Sequence, residues 1–320
     1  MKLINQLLNI KYPIIQGAMA NIATPEFAAV ASNAGCLGII ASGSMTGEET
    51  RAAVRRCREL TDKPFGVNVM LMNPCSDDIM AVLIEEKVAA VTTGAGNPGK
   101  YLDALKEAGV KVFPVVASVA LAKRLAQNGA DAIIAEGTES GGHIGDITTM
   151  SLVPQVAAAV DVPVIAAGGI ASGRQLNAAL CLGAEGVQIG TCLLLAEECP
   201  IHENYKKAVI KAKDRDTVVT GRSLNAPVRV LKNAMTTEYL KIEREGIERE
   251  EMERLTLGSL RKAVVEGDVK NGSLMMGQVA AMCKEVKPFS QIIDTLLGEA
   301  AEEKKVFEKR SQELIYDTEC

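Results

Sequence analysis

Eight short apolar runs rich in β-branched residues punctuate the first two-thirds of the chain, and longer segments rich in Ala, Leu, Lys and Glu lie between them. The runs are PIIQGA (13–18), LGIIASG (37–43), FGVNVML (65–71), AVTTGAG (90–96), KVFPVVA (111–117), ADAIIAEG (130–137), PVIAAGG (163–169) and GVQIGTCL (186–193). They are continuous rather than alternating, the pattern of parallel strands buried on both faces. In the intervening segments, Thr24 before Pro25 and Ser118 before VALAKRLAQ are placed to cap helices, and Gly129 to stop the second one. Eight such units of about 25 residues read most simply as an α/β fold, a (β/α)8 TIM barrel. A doubly wound sheet is the structural runner-up.

After Leu195 the texture changes. Residues 200–235 read as polar and irregular, and TTEYLKIEREGIEREEMERLTLGSLRKAVVEGD (236–268) reads as helical, with its charge run a solvated face. The expected organisation is a barrel over 1–199 and a smaller, mainly helical lobe over 200–270 that lies across one end of it. Residues 271–320 then form a return segment and a C-terminal amphipathic helix packing on the barrel.

Composition removes several function classes. Lys+Arg number 35 against 40 Asp+Glu, so the net charge of -5 offers no basic field to attract nucleic acid. Trp is absent and aromatics make up 3%, which leaves no stacking platform for single strands. No stretch reaches the roughly 18 apolar residues of a membrane span, and MKLINQLLNIKYP lacks a signal-peptide cleavage pattern. A cytoplasmic setting without membrane contact is expected. The 8 cysteines are scattered, with no CxxC pair and no cluster with the 2 histidines. They read as mostly buried thiols, with no bound metal.

In a barrel the chemistry collects where strands end, and glycine recurs at nearly every such end. The ends are Gln16-Gly17-Ala18-Met19, Ser42-Gly43-Ser44, Thr93-Gly94-Ala95-Gly96-Asn97, Glu136-Gly137, Gly168-Gly169 and Gln188-Ile189-Gly190-Thr191, with Asn68 on the third strand. One glycine in one loop need only make a turn. Its recurrence around one rim argues for close approach of backbone to a flat or phosphorylated ligand. The last two loops of such barrels often cradle a phosphate through backbone N–H groups. Gly168, Gly169, Gly190 and the Thr191 hydroxyl are the expected donors. Neither GxGxxG after a first strand nor GxxxxGK[ST] occurs. Gln16, Asn68, Glu136 and Gln188 would serve a ring with several carbonyls and nitrogens, and flavin mononucleotide (FMN) fits that set.

ESGGHIGD (139–146) places His143 on a mobile, glycine-lined loop after the sixth strand. An imidazole with an ordinary pKa of about 6.5 can deliver a proton near neutral pH. Asp146 is positioned either to orient the ring or to cap the loop. His202, in CPIHENYKK, has no such context and reads as a surface residue.

Taken together, QGAMA, FGVNVM, TTGAGNP, AEGTESGGHIG, PVIAAGGI, GVQIGT and GSLMMGQ resemble the flavin-dependent enoyl-acyl-carrier-protein reductase II and, more widely, the nitronate monooxygenase (2-nitropropane dioxygenase) superfamily. The resemblance runs from about Lys11 into the 270s. It implies an FMN-containing TIM barrel with a smaller lobe, a homodimer, and a role in bacterial type II fatty acid synthesis, with NADPH or NADH as hydride donor and enoyl-acyl carrier protein or enoyl-CoA as substrate. Carried over motif by motif, Gly17, Ala18, Met19, Asn68, Glu136, Gly141, Gly168, Gly169, Gln188, Ile189, Gly190 and Thr191 are implied flavin contacts. Met276 and Gln278 are implied to lie near the isoalloxazine, and the family's histidine falls on His143. Members of the family can respond to monovalent cations, whose ligands the sequence does not assign.

Nitronate monooxygenases resemble AQG-x-EAGGHRG at this point, where this chain has Glu136 and Ile144; DKPFGVNVML and VTTGAGNPGKY also look like the reductase. Three readings compete. An enoyl reductase uses His143 to protonate the α-carbon; a nitronate monooxygenase uses it as a base on alkyl nitronates with oxygen; a sensing or scaffolding barrel keeps the glycine cradle without needing it.

Overall fold

The computed structural model describes residues 3–246 and 254–316. All eight apolar runs form strands: β1 (Ile14–Gln16), β2 (Gly38–Ala41), β3 (Phe65–Met70), β4 (Ala90–Gly94), β5 (Lys111–Val116), β6 (Ile133–Glu136), then, after a two-residue strand β7 (Gly142–His143), β8 (Val164–Ala167) and β9 (Gly186–Ile189). The barrel strands pair in parallel in the order β1-β9-β8-β6-β5-β4-β3-β2. Hydrogen bonds from Gln16 N to Leu37 O and from Leu37 N to Ile14 O, both 2.9 Å, bring the first strand against the second and close the ring.

Inside it, Ile15, Leu37, Ile39, Ala90, Phe113, Ile134 and Ile165 interdigitate, the filled interior expected of eight strands. Ile4 and Leu8 of α1 (Ile4–Leu8) join the same cluster, and Ile4 N donates to Glu185 O just before β9. The N-terminal end of the barrel is therefore plugged, which leaves the C-terminal rim for function. The outer helices form where their caps predict. Thr24 Oγ1 accepts the Phe27 N–H (3.2 Å) at the start of α2 (Pro25–Asn33), and Ser118 Oγ accepts that of Leu121 (3.4 Å) before Val119–Gln127.

Residues 200–235, which read as irregular, instead fold into a helix (Glu203–Lys211) and a hairpin of β10 (Thr217–Thr220) and β11 (Val228–Leu231). β11 pairs antiparallel with both β10 and β7, so a three-stranded sheet β10-β11-β7 ties the hairpin to the loop that follows β6. These strands are four residues long and flanked by Lys213, Asp214, Arg215 and Arg222, which hides them from a periodicity argument. The charged run begins as the helix Ala234–Glu245; its centre, 247–253, lies outside the described residues. The C-terminal helix (Phe289–Tyr316) packs on the barrel's outer layer. The Phe289 ring meets Phe27 edge-on at 5.7 Å, Asn177 Nδ2 donates to Ala300 O (2.7 Å), and Gly173 N donates to Glu299 Oε2 (2.9 Å).

Among the described residues the cysteines are unpaired. Cys36, Cys57, Cys192, Cys199 and Cys283 are buried, and burial pushes the Cys36 thiol up to about 12. No described helix is long and apolar enough to cross a membrane.

Candidate functional site

The C-terminal rim opens into a cavity of about 250 Å³. Of the residues singled out from sequence, Gly17, Ala18, Met19, Asn68, Glu136, Gly141, His143, Gly168, Gly169, Gln188, Ile189, Gly190, Thr191 and Met276 all line it. Gln278 does not: it is exposed, and its backbone N–H donates to Glu139 O at 2.9 Å. Gln16 is also absent from the wall. Its side chain is fully buried, with Nε2 donating to Gly17 O and Oε1 accepting from Ile39 N (3.0 Å), so its amide serves the barrel. His202 is exposed as expected and caps a helix by accepting the Asn204 N–H on Nδ1 (3.1 Å). Ser140, Met275, Leu260 and Val279 line the cavity without having been singled out. Ser140 and Met275 are sequence neighbours of chosen residues and were legible in principle; Leu260, far from any of them in sequence, was not.

The glycines allow backbones to meet. Gly168 has φ +88°, and a Cβ there would stand 2.8 Å from Gly137 O and 3.1 Å from Ser140 N. A Cβ on Gly141 would come within 2.6 Å of the Met276 backbone. The stretch from Gly137 to His143 is consequently clamped rather than mobile. The Glu139 carboxylate accepts the Thr149 N–H (2.8 Å) at the N-terminus of the helix Thr149–Ala157, where a negative charge is favourable. Buried Arg229 donates from Nε to Thr138 O (3.0 Å), and β7 is paired with β11. On the other side of the cavity Thr191 Oγ1 accepts the Gly277 N–H at 2.9 Å.

His143 stands at the mouth of the cavity, open to solvent yet partly desolvated by the wall beside it. Asp146 is not its partner; it reaches outward to Arg222 Nη1 at 2.7 Å. The strand pairing of His143 with Val228 is what orients the residue.

Replacing Arg229 with Met keeps the alkyl packing but removes the bonds to Thr138 O and to Thr217 Oγ1. Leaving a buried carbonyl unsatisfied costs about 1–3 kcal/mol. The expected result is faster amide hydrogen exchange across residues 138–144 with exchange in β2 to β4 unchanged; uniform protection would show that the guanidinium does not hold the loop.

Among the described residues Glu136 and His143 are the only readily ionising side chains on the wall, and no Lys or Arg joins them. Burial pushes the Glu136 carboxyl up to about 7, with the nearby Ser140 hydroxyl pulling it back. Burial lowers the His143 imidazole below its ordinary value. Asn68 Nδ2 donates to Thr92 Oγ1 (2.9 Å), which leaves Oδ1 as an acceptor for the cavity. Ser140 Oγ is buried without a well-formed partner.

The raised carboxyl pKa has a stability consequence. Below an ordinary carboxyl pKa of about 4.3, Glu136 is neutral folded or unfolded. Between there and about 7 the unfolded chain loses its proton first, so stability is lost as pH rises through this window. A Glu136→Gln apoprotein is expected to gain melting temperature over wild type progressively across that window and to hold the gain above it. A constant difference across pH would refute a buried neutral carboxyl.

Comparison with known proteins places this arrangement. The nitronate monooxygenase family model matches residues 1–299. A (3aS,4S,5R,7aS)-5-hydroxy-7a-methyl-1-oxo-octahydro-1H-indene-4-carboxyl-CoA dehydrogenase of Rhodococcus jostii is 32% identical, covering 93% of this chain and 95% of its own. A probable nitronate monooxygenase of Staphylococcus saprophyticus is 32% identical, covering 92% and 96%. Among solved structures, FabK from Thermotoga maritima superposes with a TM-score of 0.94 at 49% identity, covering 97% of this chain and 99% of that one. With its barrel, its glycine-lined rim and a family match over nearly its whole length, the chain belongs to the nitronate monooxygenase family.

Proposed function

We propose that this protein is an FMN-dependent trans-2-enoyl thioester reductase, taking hydride from NADH or NADPH and acting on enoyl-acyl carrier protein in fatty acid elongation. The observation that carries the reading is the likeness to FabK, an enoyl-acyl-carrier-protein reductase II, over 97% of the chain at 49% identity, with His143 at the mouth of this chain's cavity. The dehydrogenase relative is named for a carboxyl-CoA substrate, itself a thioester.

The wall suits a flavin. Asn68 Oδ1 and the Gln188 amide offer acceptor and donor, Ser140 Oγ is a buried hydroxyl without a well-formed partner, and the backbone turns at Gly168-Gly169 and Gly190-Thr191 suit a phosphate. When bound, FMN supplies the hydride relay between nicotinamide and substrate. The chain's own contribution is positional and acid–base. Gly141 and Gly168 let backbone lie against a flat ring, Met19, Met275 and Met276 give the cavity an adaptable apolar wall, and His143 protonates the substrate α-carbon. Backbone N–H groups near the glycine-rich loop polarise the thioester carbonyl as enolate charge develops. Residues 1–199 form the cofactor barrel in this reading, 200–270 a lobe over the active site, and 271–320 the return segment and closing helix. A cytoplasmic homodimer and a response to monovalent cations belong to the same proposal.

The family match favours one second reading, oxidation of alkyl nitronates by oxygen. Purified yellow protein assayed anaerobically separates them: NAD(P)H consumption that depends on crotonyl-CoA is expected. Oxygen uptake dependent on propionate 3-nitronate, with no enoyl-dependent consumption, would replace the first reading by the second. Neither activity would leave a barrel that binds its ligand without catalysis.

A further inference from the structure

We propose that Glu136 is the charge-compensating proton acceptor of the cavity: it takes a proton from solvent when hydride enters the site and returns it when hydride leaves. This rests on the flavin reading above.

Glu136 stands at the C-terminal end of β6, paired with Ala167 of β8, on the cavity wall. The charged groups around it are few. The strands β8 and β9, the helix Thr149–Ala157 and residues 275–279 carry no ionisable side chain, and Lys123 and Arg124 of the helix Val119–Gln127 are exposed on its outer face. At the far end of β5, Lys111 pairs with Asp131 (2.8 Å). The loop after β6 brings His143 and Glu139, and the Glu139 carboxylate is occupied by the Thr149 N–H and hydroxyl. Arg229 lies behind the loop on Thr138 O and Thr217 Oγ1. Among the described residues no cation therefore lines the cavity to balance added negative charge, and Glu136 is a carboxyl held by burial near the point of ionising at neutral pH.

The charge balance follows. NAD(P)H gives up H⁻, two electrons with one proton, and leaves as NAD(P)⁺, so the site gains one negative charge. Two like charges close together repel, the more so where one of them is a buried carboxylate. The Glu136 carboxylate takes H⁺ from solvent and becomes the neutral acid. When H⁻ passes to the β-carbon of the enoyl thioester, His143 gives H⁺ to its α-carbon, Glu136 releases its proton to solvent, and the imidazole recovers one H⁺ from solvent. One NAD(P)H and one H⁺ are consumed per thioester reduced.

The test is proton uptake during anaerobic reduction of the holoenzyme by one equivalent of NAD(P)H, followed with an indicator dye in weak buffer at about pH 8, where Glu136 is ionised beforehand. Wild type is expected to take up close to one proton per flavin reduced, and Glu136→Gln close to none. The redox equilibrium of the bound flavin should gain an extra tenfold change per pH unit above neutrality, about 30 mV for a two-electron couple, and the Gln variant should lose it. Equal uptake in both proteins, or none in wild type, overturns the proposal while the flavin reading stands. A protein that binds no FMN or is not reduced by NAD(P)H overturns both. Should the Gln variant not fold or retain flavin, the reduced-minus-oxidised infrared spectrum of the unmutated enzyme decides: gain of a carboxylic-acid C=O band with loss of carboxylate bands is expected, and its absence refutes the assignment.

Discussion

A Gly168→Val protein is expected to fold and to lose FMN affinity by about an order of magnitude or more. Gly168 has φ +88°, a region that a β-branched residue enters only under strain, and the obstructing atoms are backbone: Gly137 O at 2.8 Å and Ser140 N at 3.1 Å from the added Cβ. Backbone strain of this kind costs about 1–3 kcal/mol. The stretch that must move, Gly137 to Ser140, directly follows Glu136 and leads to His143, so relieving the clash displaces the cavity wall. FMN retained through gel filtration and the calorimetric affinity of the apoprotein measure the effect. Gly94 supplies the control: it lies at the same rim, and nothing stands within 4 Å of a Cβ built there. Gly94→Ala should bind FMN as wild type does. Equal affinity in the Gly168→Val and Gly94→Ala proteins would show that the backbone cradle at Gly168 does not hold the cofactor.

His143→Ala is expected to slow transfer to the enoyl thioester by about 10²–10⁴-fold, the usual contribution of a positioned general acid, while reduction by NAD(P)H proceeds at the wild-type rate. Stopped-flow absorbance of the flavin separates the two halves. The pH dependence carries a sign. Burial lowers the His143 pKa below its ordinary value, and an acid role requires the imidazolium. The wild-type rate of the second half should therefore fall as pH rises through a value below about 6.5, and the Ala variant should lack that limb. Reoxidation by crotonyl thioester as fast in the variant as in wild type would remove the role.

Much of the fold was written in local pattern. Continuous apolar runs announced strands buried on both faces, and Thr24 and Ser118 announced helix starts, because the physics of burial and capping acts over a few residues. The hairpin of β10 and β11 escaped because its pairing is not local. Its strand β11 brings Val228 against His143 across most of the lobe, and nothing near either residue reports that contact. For the same reason a stretch that looked mobile by its glycines is pinned from four directions.

The site was legible to the extent that strand-end residues point into a barrel mouth: Asn68, Glu136, Gln188 and the glycines Gly17, Gly43, Gly168, Gly169 and Gly190 reach the cavity, whereas Gly94, Gly96 and Gly137 do not line it. Gln16 failed this rule because a strand end can face the barrel's own backbone, where Leu37 and Ile39 lie. Gln278 failed because a motif fixes a backbone, whereas here the side chain turns to solvent. Asp146 lost the imidazole to a more accessible guanidinium, Arg222. The desolvation that sets Glu136 apart arises on the wall of a cavity whose lining includes residues as distant in sequence as Leu260 and Met275, and has no signature in its own neighbourhood.

A single turnover without oxygen decides whether this protein reduces enoyl thioesters. Enzyme reduced by one equivalent of NAD(P)H in an anaerobic cell is mixed with crotonyl thioester, and the flavin absorbance is followed. Full reoxidation is expected, with one equivalent of butyryl thioester formed. Flavin that stays reduced with the thioester and reoxidises only when oxygen or a nitronate with oxygen is admitted would contradict it.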